Sequence, residues 1–234
     1  MGMWKKATWG IRAYLAVPPN PFRFDPRLDR LVAELCASIG ENEIALNLGS
    51  GTTSRGERIV NVDVADAPTV DVRSDAHHLP FRSKSFAGVL LRGVLEHVED
   101  AETVMAEVCR VAAPGAFIYV EVPFLQPYHR SPEDYRRFTL PGLEAYLADL
   151  ESVRSGVQAG PFSSLAWILR ESLASLVSGG SSWWYRKAVA VFGWLTFWIR
   201  YLDALVADAP HVSDSASALY FLGRAPRARE TGSR

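Results

Sequence analysis

The chain has 234 residues, 48% hydrophobic and 22% charged, a globular composition that excludes wholesale disorder. With 25 Lys+Arg against 26 Asp+Glu the net charge is -1, which argues against a surface built for polyanions; no nucleic-acid partner is expected. Two cysteines, Cys36 and Cys109, are too few for a disulfide framework and read as buried thiols at apolar-patterned positions.

Residues 1–24 begin aromatic and basic (Trp4, Lys5, Lys6, Trp9) and turn proline-rich (Pro18, Pro19, Pro21), which suggests an ordered or half-ordered arm. Met1–Ala16 has no apolar core before a small-residue cleavage site, so no signal peptide is expected and the chain reads as cytoplasmic. A helix is predicted over 25–39: Asp25-Pro26 caps it, Leu28, Leu31, Val32 and Leu35 line one face, and Gly40 stops it. The period then changes. Apolar runs at Ile44–Leu48, Ile59–Asp63, Thr69–Val72, Phe86–Leu91 and Ala116–Val122 read as strands buried on both faces of a parallel sheet. A helix over Ala101–Ala112 separates the last two, with Met105, Val108, Cys109 and Val111 as its buried face and Pro114-Gly115 ending it. A helix over Pro141–Leu150, a strand over Ser152–Val157 and a last strand over Ala216–Leu222 follow. This alternation predicts an α/β three-layer domain over 41–158, completed by a strand within 215–224. The insertion 159–214 reads as two helices, Phe162–Val177 and Trp183–Ala207, broken at Ser178–Ser181; the tail 225–234 is polar and basic.

Three features carry chemistry. Asn47-Leu48-Gly49-Ser50-Gly51 follows a strand, where glycines let the backbone turn and approach a ligand. Asp63 ends the next strand, at the edge where open parallel sheets bind ligands, and can accept two ribose hydroxyls. Asp75 lies just past the third strand, placed to accept a hydrogen bond from a purine amine; a plain turn aspartate is the alternative. A dinucleotide site competes, but Ser54 stands where its third glycine belongs. The acid also comes only twelve residues after Gly51, and the seven residues Thr52–Arg58 cannot form a packed helix. A ligand with one ribose, one purine and no phosphate fits better.

Leu48-Gly49-Ser50-Gly51, Val62-Asp63, Asp75 with Leu79-Pro80-Phe81, Leu95-Glu96-His97-Val98 and Cys109–Gly115 stand in the order that resembles the class I S-adenosylmethionine-dependent methyltransferases, in the small-molecule branch of type 11. In this chain Asn47 replaces an acid, Thr53 a glycine and Ala87 the acid of the "FD" pair. The resemblance implies a Rossmann-like seven-stranded sheet with an antiparallel last strand and helices on both faces. It also implies S-adenosyl-L-methionine as cofactor and S-adenosyl-L-homocysteine as product, with the glycine loop around the methionine part, Asp63 on the ribose, and Asp75 and Ala76 at the adenine. The expected cofactor set is Asn47, Gly49, Ser50, Gly51, Asp63, Val64, Asp75, Ala76 and Arg92.

A hydroxyl acceptor needs a base past the fourth or fifth strand. His97 follows the fourth, with Glu96 able to orient it or bind metal; an E-x-x-E-H cation site would put its first acid at Gly93, so no metal is expected. A helix-capping His97 is the structural alternative. The stretch 123–139 is richer. There His129 is the first choice of base, Asp134 or Glu133 orients it, and Tyr128, Tyr135 and Arg137 grip the acceptor. An ordered loop that only closes over the cofactor is the alternative. Aromatics among Gln, His, Asp and Arg suit a sugar or another polyhydroxylated acceptor. The expected activity is therefore O-methylation of a sugar or glycan-like small molecule. Methylation of a lipid or quinone, or a non-catalytic S-adenosylmethionine-binding module, are the alternatives.

Five of the seven tryptophans (Trp167, Trp183, Trp184, Trp194 and Trp198) fall in the insertion. Its uncharged run Ala188–Ile199 is twelve residues, too short to span a bilayer. A lid or homodimer surface, a peripheral membrane contact and an internal core remain open.

Overall fold

The structure is a computed structural model that describes residues 26–53, 56–129 and 133–227. The expected arm over 1–24, the Asp25 cap, Ser54, residues 130–132 and the end of the tail lie outside the described residues. The chain divides into two compact units.

The larger unit holds a seven-stranded sheet in the order β3-β2-β1-β4-β5-β7-β6. Its strands are β1 (Ala45–Leu48), β2 (Ile59–Asp63), β3 (Val72–Arg73), β4 (Phe86–Arg92), β5 (Ala112–Pro123), β6 (Glu151–Ala159) and β7 (Ala218–Arg224). Strands β1 to β5 pair in parallel and β7 runs antiparallel to β5, as the family resemblance implies. All four residues of β1 are buried, and β4 and β7 are buried nearly throughout, which is why their sequences read as apolar runs rather than alternating ones. Helices cover both faces. Helix α1 (Pro26–Ala37) packs Leu28 and Val32 into a cluster with Ala45, Ile59, Leu90, Phe117, Tyr119 and Tyr220. Helix α2 (Ala101–Val111) buries Ala101, Val104, Met105, Val108 and Val111, and Asp100 caps it by accepting from the Thr103 amide at 2.9 Å. Cys109 corrects the reading of its buried face. It is exposed, one position and hence about 100° past Val108, off the stripe the other five residues form. Helix α3 (Leu140–Tyr146) is capped by Thr139.

The smaller unit comprises, among the described residues, 125–127 and 159–217. Helix α4 (Pro161–Val177) and helix α5 (Ser182–Thr196) form a hairpin through a turn at 178–181. A 3₁₀ segment (Phe197–Leu202) and helix α6 (Asp203–Val206) carry α5 on. Asp203 accepts from the amides of Phe162 and Ser163 at 2.8 and 3.2 Å, so a side chain from the far end of the hairpin serves the open N-terminus of α4. Contrary to the reading from the uncharged run alone, the continuous helical stretch Ser182–Val206 is long and apolar enough to cross a membrane by length and composition.

Candidate active site

Two clusters lie at the carboxyl edge of the sheet, and the first is the glycine loop. Gly49 leaves β1 at φ 67°, and a Cβ there would stand 2.4 Å from Val94 Cγ2. Glycine is therefore required both by backbone and by packing. Gly51 follows at φ 54°, with nothing among the described residues within 4 Å of where a Cβ would lie, so the turn leaves room for a ligand. The Gly51 amide donates to Asp63 Oδ2 at 2.7 Å and the Ala65 amide to Oδ1 at 2.8 Å. Asp63 thus ties the loop to the end of β2 and keeps further lone pairs for a ligand. The described residues between β1 and β2 form turns and no helix, so no helix N-terminus stands there to hold a pyrophosphate.

The remaining expected cofactor residues fall into different places. Val64 is exposed beside Asp63. Asp75 is exposed and already partnered: its Oδ1 takes the His77 amide at 2.9 Å and contacts His77 Nδ1 at 2.6 Å. Those two bonds hold its carboxyl below the usual carboxylate range. Ala76 is half-buried in the same turn. Asn47 is buried, and its amide donates to Asn61 Oδ1 at 3.0 Å and to the Thr53 carbonyl at 3.4 Å, so its side chain braces the loop from inside the sheet. Arg92 is engaged within the sheet. Its Nε donates to Glu121 Oε2 at 2.7 Å, across paired positions of β4 and β5, and the Tyr119 hydroxyl donates to Glu121 Oε1 at 2.8 Å. The Ser50 hydroxyl is buried and has no hydrogen-bond partner among the described residues. An orphaned hydroxyl beside an open glycine turn and a strand-end acid fits an adenosyl cofactor without phosphates.

The second cluster joins the ends of β4 and β5. A 3₁₀ turn, Leu95–His97, follows β4. The loop after β5 is fastened to it: the Tyr135 amide donates to the Glu96 carbonyl at 2.7 Å, His97 Nδ1 bonds the Glu133 carbonyl, and Arg136 bonds the Val98 and Glu99 carbonyls. A carbonyl only accepts, so Nδ1 carries the proton. Its other ring nitrogen, Nε2, lies 3.9 Å from Glu96 Oε1. The His97 and His129 rings meet edge to face, centroids 5.0 Å apart.

Asp134 lies beneath, its side chain 1% exposed, with its carboxylate taken by Arg137 and by the His129 amide at 2.9 Å. Burial pushes its pKa up, but these bonds outweigh burial and hold it down. It is thus a fixed anion 3.6 Å from His129 Nδ1. Tyr128 donates to Glu133 Oε2 at 2.6 Å while its ring stays exposed, as does that of Tyr135.

Every expected residue of this cluster (His97, His129, Asp134, Tyr128, Tyr135 and Arg137) is brought to one loop assembly. The residue that sequence reasoning undervalued is Glu96. It is 2% exposed, its Oε2 has no hydrogen-bond partner among the described residues, and burial pushes its carboxyl up to about 7. The signal was Gly93, which adopts φ 68° with its missing Cβ 3.3 Å from Glu96 Oε1. Glu96, His97 and His129 each offer a ligand atom within 4.8 Å of the others, so this set could hold a divalent cation although none was expected.

Residues 31–120 match the family model for the methyltransferase domain. Residues 31–120 are thus similar to the type 11 methyltransferase domain of the class I S-adenosylmethionine-dependent enzymes. The chain is 28% identical over 148 residues to the ubiquinone biosynthesis O-methyltransferase of Hahella chejuensis (strain KCTC 2396), covering 55% of this chain and 58% of that protein. The match thus spans less than two-thirds of that relative's length. Among solved structures, phosphoethanolamine N-methyltransferase 2 of Haemonchus contortus in complex with S-adenosyl-L-methionine superposes with a TM-score of 0.53 at 13% identity, covering 86% of this chain and 53% of that one. The [4+2]-cyclase SpnF superposes at 0.52 with 19% identity, covering 86% and 82%. Such identities establish the fold alone. With a cyclase among the neighbours, the reaction has to be argued from the residues.

Proposed function

We propose that this chain is an S-adenosylmethionine-dependent O-methyltransferase acting on a hydroxyl of a polyhydroxylated, glycan-like small molecule, with His129 as general base. The observation that carries the reading is the fastening of the loop after β5 onto the 3₁₀ turn after β4, which gathers His129, Asp134 and His97 at the carboxyl edge of the sheet.

When bound, S-adenosyl-L-methionine supplies an electrophilic methyl carbon on a sulfonium and leaves as S-adenosyl-L-homocysteine. Gly49, Ser50 and Gly51 would hold its methionine part, Asp63 its ribose, and Asp75 with Ala76 its adenine. Asp134, kept ionised by Arg137, orients the His129 ring and stabilises the imidazolium that forms when His129 takes the acceptor's proton. The exposed rings of Tyr128 and Tyr135 offer flat faces for the apolar side of a sugar. Orientation of the acceptor hydroxyl supplies the larger part of the rate.

A second acceptor class, a quinone or lipid phenol, is favoured by one finding, the similarity to a ubiquinone biosynthesis O-methyltransferase. The test is S-adenosyl-L-homocysteine release with a panel of sugar and catechol acceptors, in the presence of a chelator. The expected result is turnover with sugars that survives the chelator and falls about 10²–10⁴-fold in His129→Gln, with cofactor affinity unchanged. Unaltered turnover in the variant overturns the base assignment. Turnover with catechols alone moves the acceptor to the second class. Loss to the chelator moves the chemistry to the Glu96–His97–His129 set as a cation site.

A further inference from the structure

We infer that the α4–α5 hairpin is an amphipathic wedge that lies in the surface of an anionic bilayer. The inference goes beyond the catalytic reading and does not depend on it.

The first observation is exposure. Among the eighteen most apolar consecutive residues of Ser182–Val206 only 11% are buried, so this is not the core helix of a folded unit. Large apolar side chains stand in water instead: Leu176 is 79% exposed, Trp184 60% and Leu195 61%. They are ordered on the helix. Trp184, Val191 and Leu195 fall at i, i+7 and i+11, within about 40° of one another, and exposed Trp198 continues the line. On the opposite side Gly193 and Thr196 are buried, and Thr196 Oγ1 approaches the Ala166 carbonyl of α4 at 3.5 Å. At the other end of α5 the Tyr185 hydroxyl bonds Glu171 of α4. One face is therefore used inside the unit, and among the described residues the apolar face is left open.

The second observation is charge. From Ser172 to Leu202 the chain carries Arg186, Lys187 and Arg200 and no acid, within a protein whose net charge is -1. This segment is a local cation on an otherwise balanced chain, complementary to anionic lipid headgroups. Lys187 Nζ sits 5.7 Å from the Trp183 ring centroid, the pairing of aromatic body and cationic tip that suits the headgroup layer.

The two observations also fix the mode. A helix crossing the bilayer would present every face to hydrocarbon, including the Tyr185–Glu171 bond and the Arg170–Glu171 ion pair at 2.6 Å. A helix lying in the surface buries only the Trp184–Trp198 face, and leaves that polar pair on the side of the protein. A second copy of this chain would have to bring together two segments that each carry three cations and no acid, which disfavours it.

The experiment is flotation of the full chain with vesicles of pure phosphatidylcholine and of phosphatidylcholine containing about a third phosphatidylglycerol. Tryptophan emission is recorded in parallel. Binding is expected with the anionic vesicles, with a blue shift, and weakening as salt rises. The triple variant Trp184→Ser, Leu195→Ser, Trp198→Ser should lower the partition coefficient roughly tenfold or more while retaining the helical circular dichroism of the parent. Arg186→Glu with Lys187→Glu should abolish the preference for anionic vesicles and leave S-adenosyl-L-homocysteine binding unchanged. A parent chain that stays at the bottom with both vesicle types overturns the inference, whatever its catalytic activity. So does sedimentation as a dimer that the triple variant dissociates.

Discussion

Glu96 makes the stability of this fold depend on pH in a direction opposite to that of most acids. An ordinary paired carboxylate is held below its unfolded pKa and stabilises the fold as pH rises. Glu96 is buried, and its carboxyl is pushed from 4.5 up to about 7, with the Arg137 charge opposing the burial. Between those values the folded chain holds a proton that the unfolded chain has released, so stability falls as pH rises. The contribution is fully present below about pH 4.5 and is lost through about pH 7. A gap of about 2.5 units corresponds to about 3 kcal/mol. Glu96→Gln keeps the shape and removes the titration. Thermal unfolding by circular dichroism is the assay. For a chain of this size about 3 kcal/mol corresponds to roughly 6–12 °C. Relative to the parent, the variant should therefore gain most of that interval between about pH 5 and about pH 8. Parallel pH profiles for the two proteins would refute the argument, because they would mean that the buried acid is ionised at no cost throughout.

Two further substitutions test the cofactor edge. Asp63→Ala removes the acceptor of the Gly51 and Ala65 amides as well as the ribose contact. It should weaken S-adenosyl-L-homocysteine by about 2 kcal/mol, some thirtyfold, in isothermal titration; an unchanged affinity would remove Asp63 from the site. Gly49→Ala should destabilise the fold by more than 1 kcal/mol in urea unfolding, through its Cβ overlap with Val94 and its positive φ. Adding Val94→Ala should recover the overlap part only, so full recovery would show that backbone strain is negligible there.

The sheet was legible because its strands are buried on both faces, so that β1, β2 and β4 stand out as apolar runs close to their observed bounds. The two poorer boundaries have local causes. β3 starts at Val72 rather than Thr69, since the Thr69 hydroxyl bonds the Gly51 carbonyl and the Val70 amide closes a turn onto Ala67. β5 starts at Ala112, running through Pro114 and Gly115, because Ala112 pairs with Phe86 and the ladder resumes after a register shift. In the site, residue types were legible and their employment was not. Asn47 and Arg92 are polar residues at the expected edge. Whether their side chains face a ligand or a neighbour depends on Asn61 and Glu121, which lie fourteen and twenty-nine residues away.

The meeting of His97 and His129 follows from topology rather than from any motif that contains both. β4 and β5 are adjacent and parallel, with Arg92 opposite Glu121 at the end of the ladder. Neighbouring strands lie about 5 Å apart, so whatever follows Arg92 and whatever follows Pro123 must leave the sheet side by side. The sequence showed a histidine in each loop, and strand order alone would have made them neighbours. It could not show the fastening, because that is done by backbone groups: the Tyr135 amide on the Glu96 carbonyl and the Glu133 carbonyl on His97. Backbone groups carry no residue identity. The fastened loop also carries Arg137 and Asp134, whose charges act on the Glu96 carboxyl in opposite directions. The pH profile of Glu96→Gln is therefore a test of how tightly the loop bearing His129 is held, independent of any acceptor.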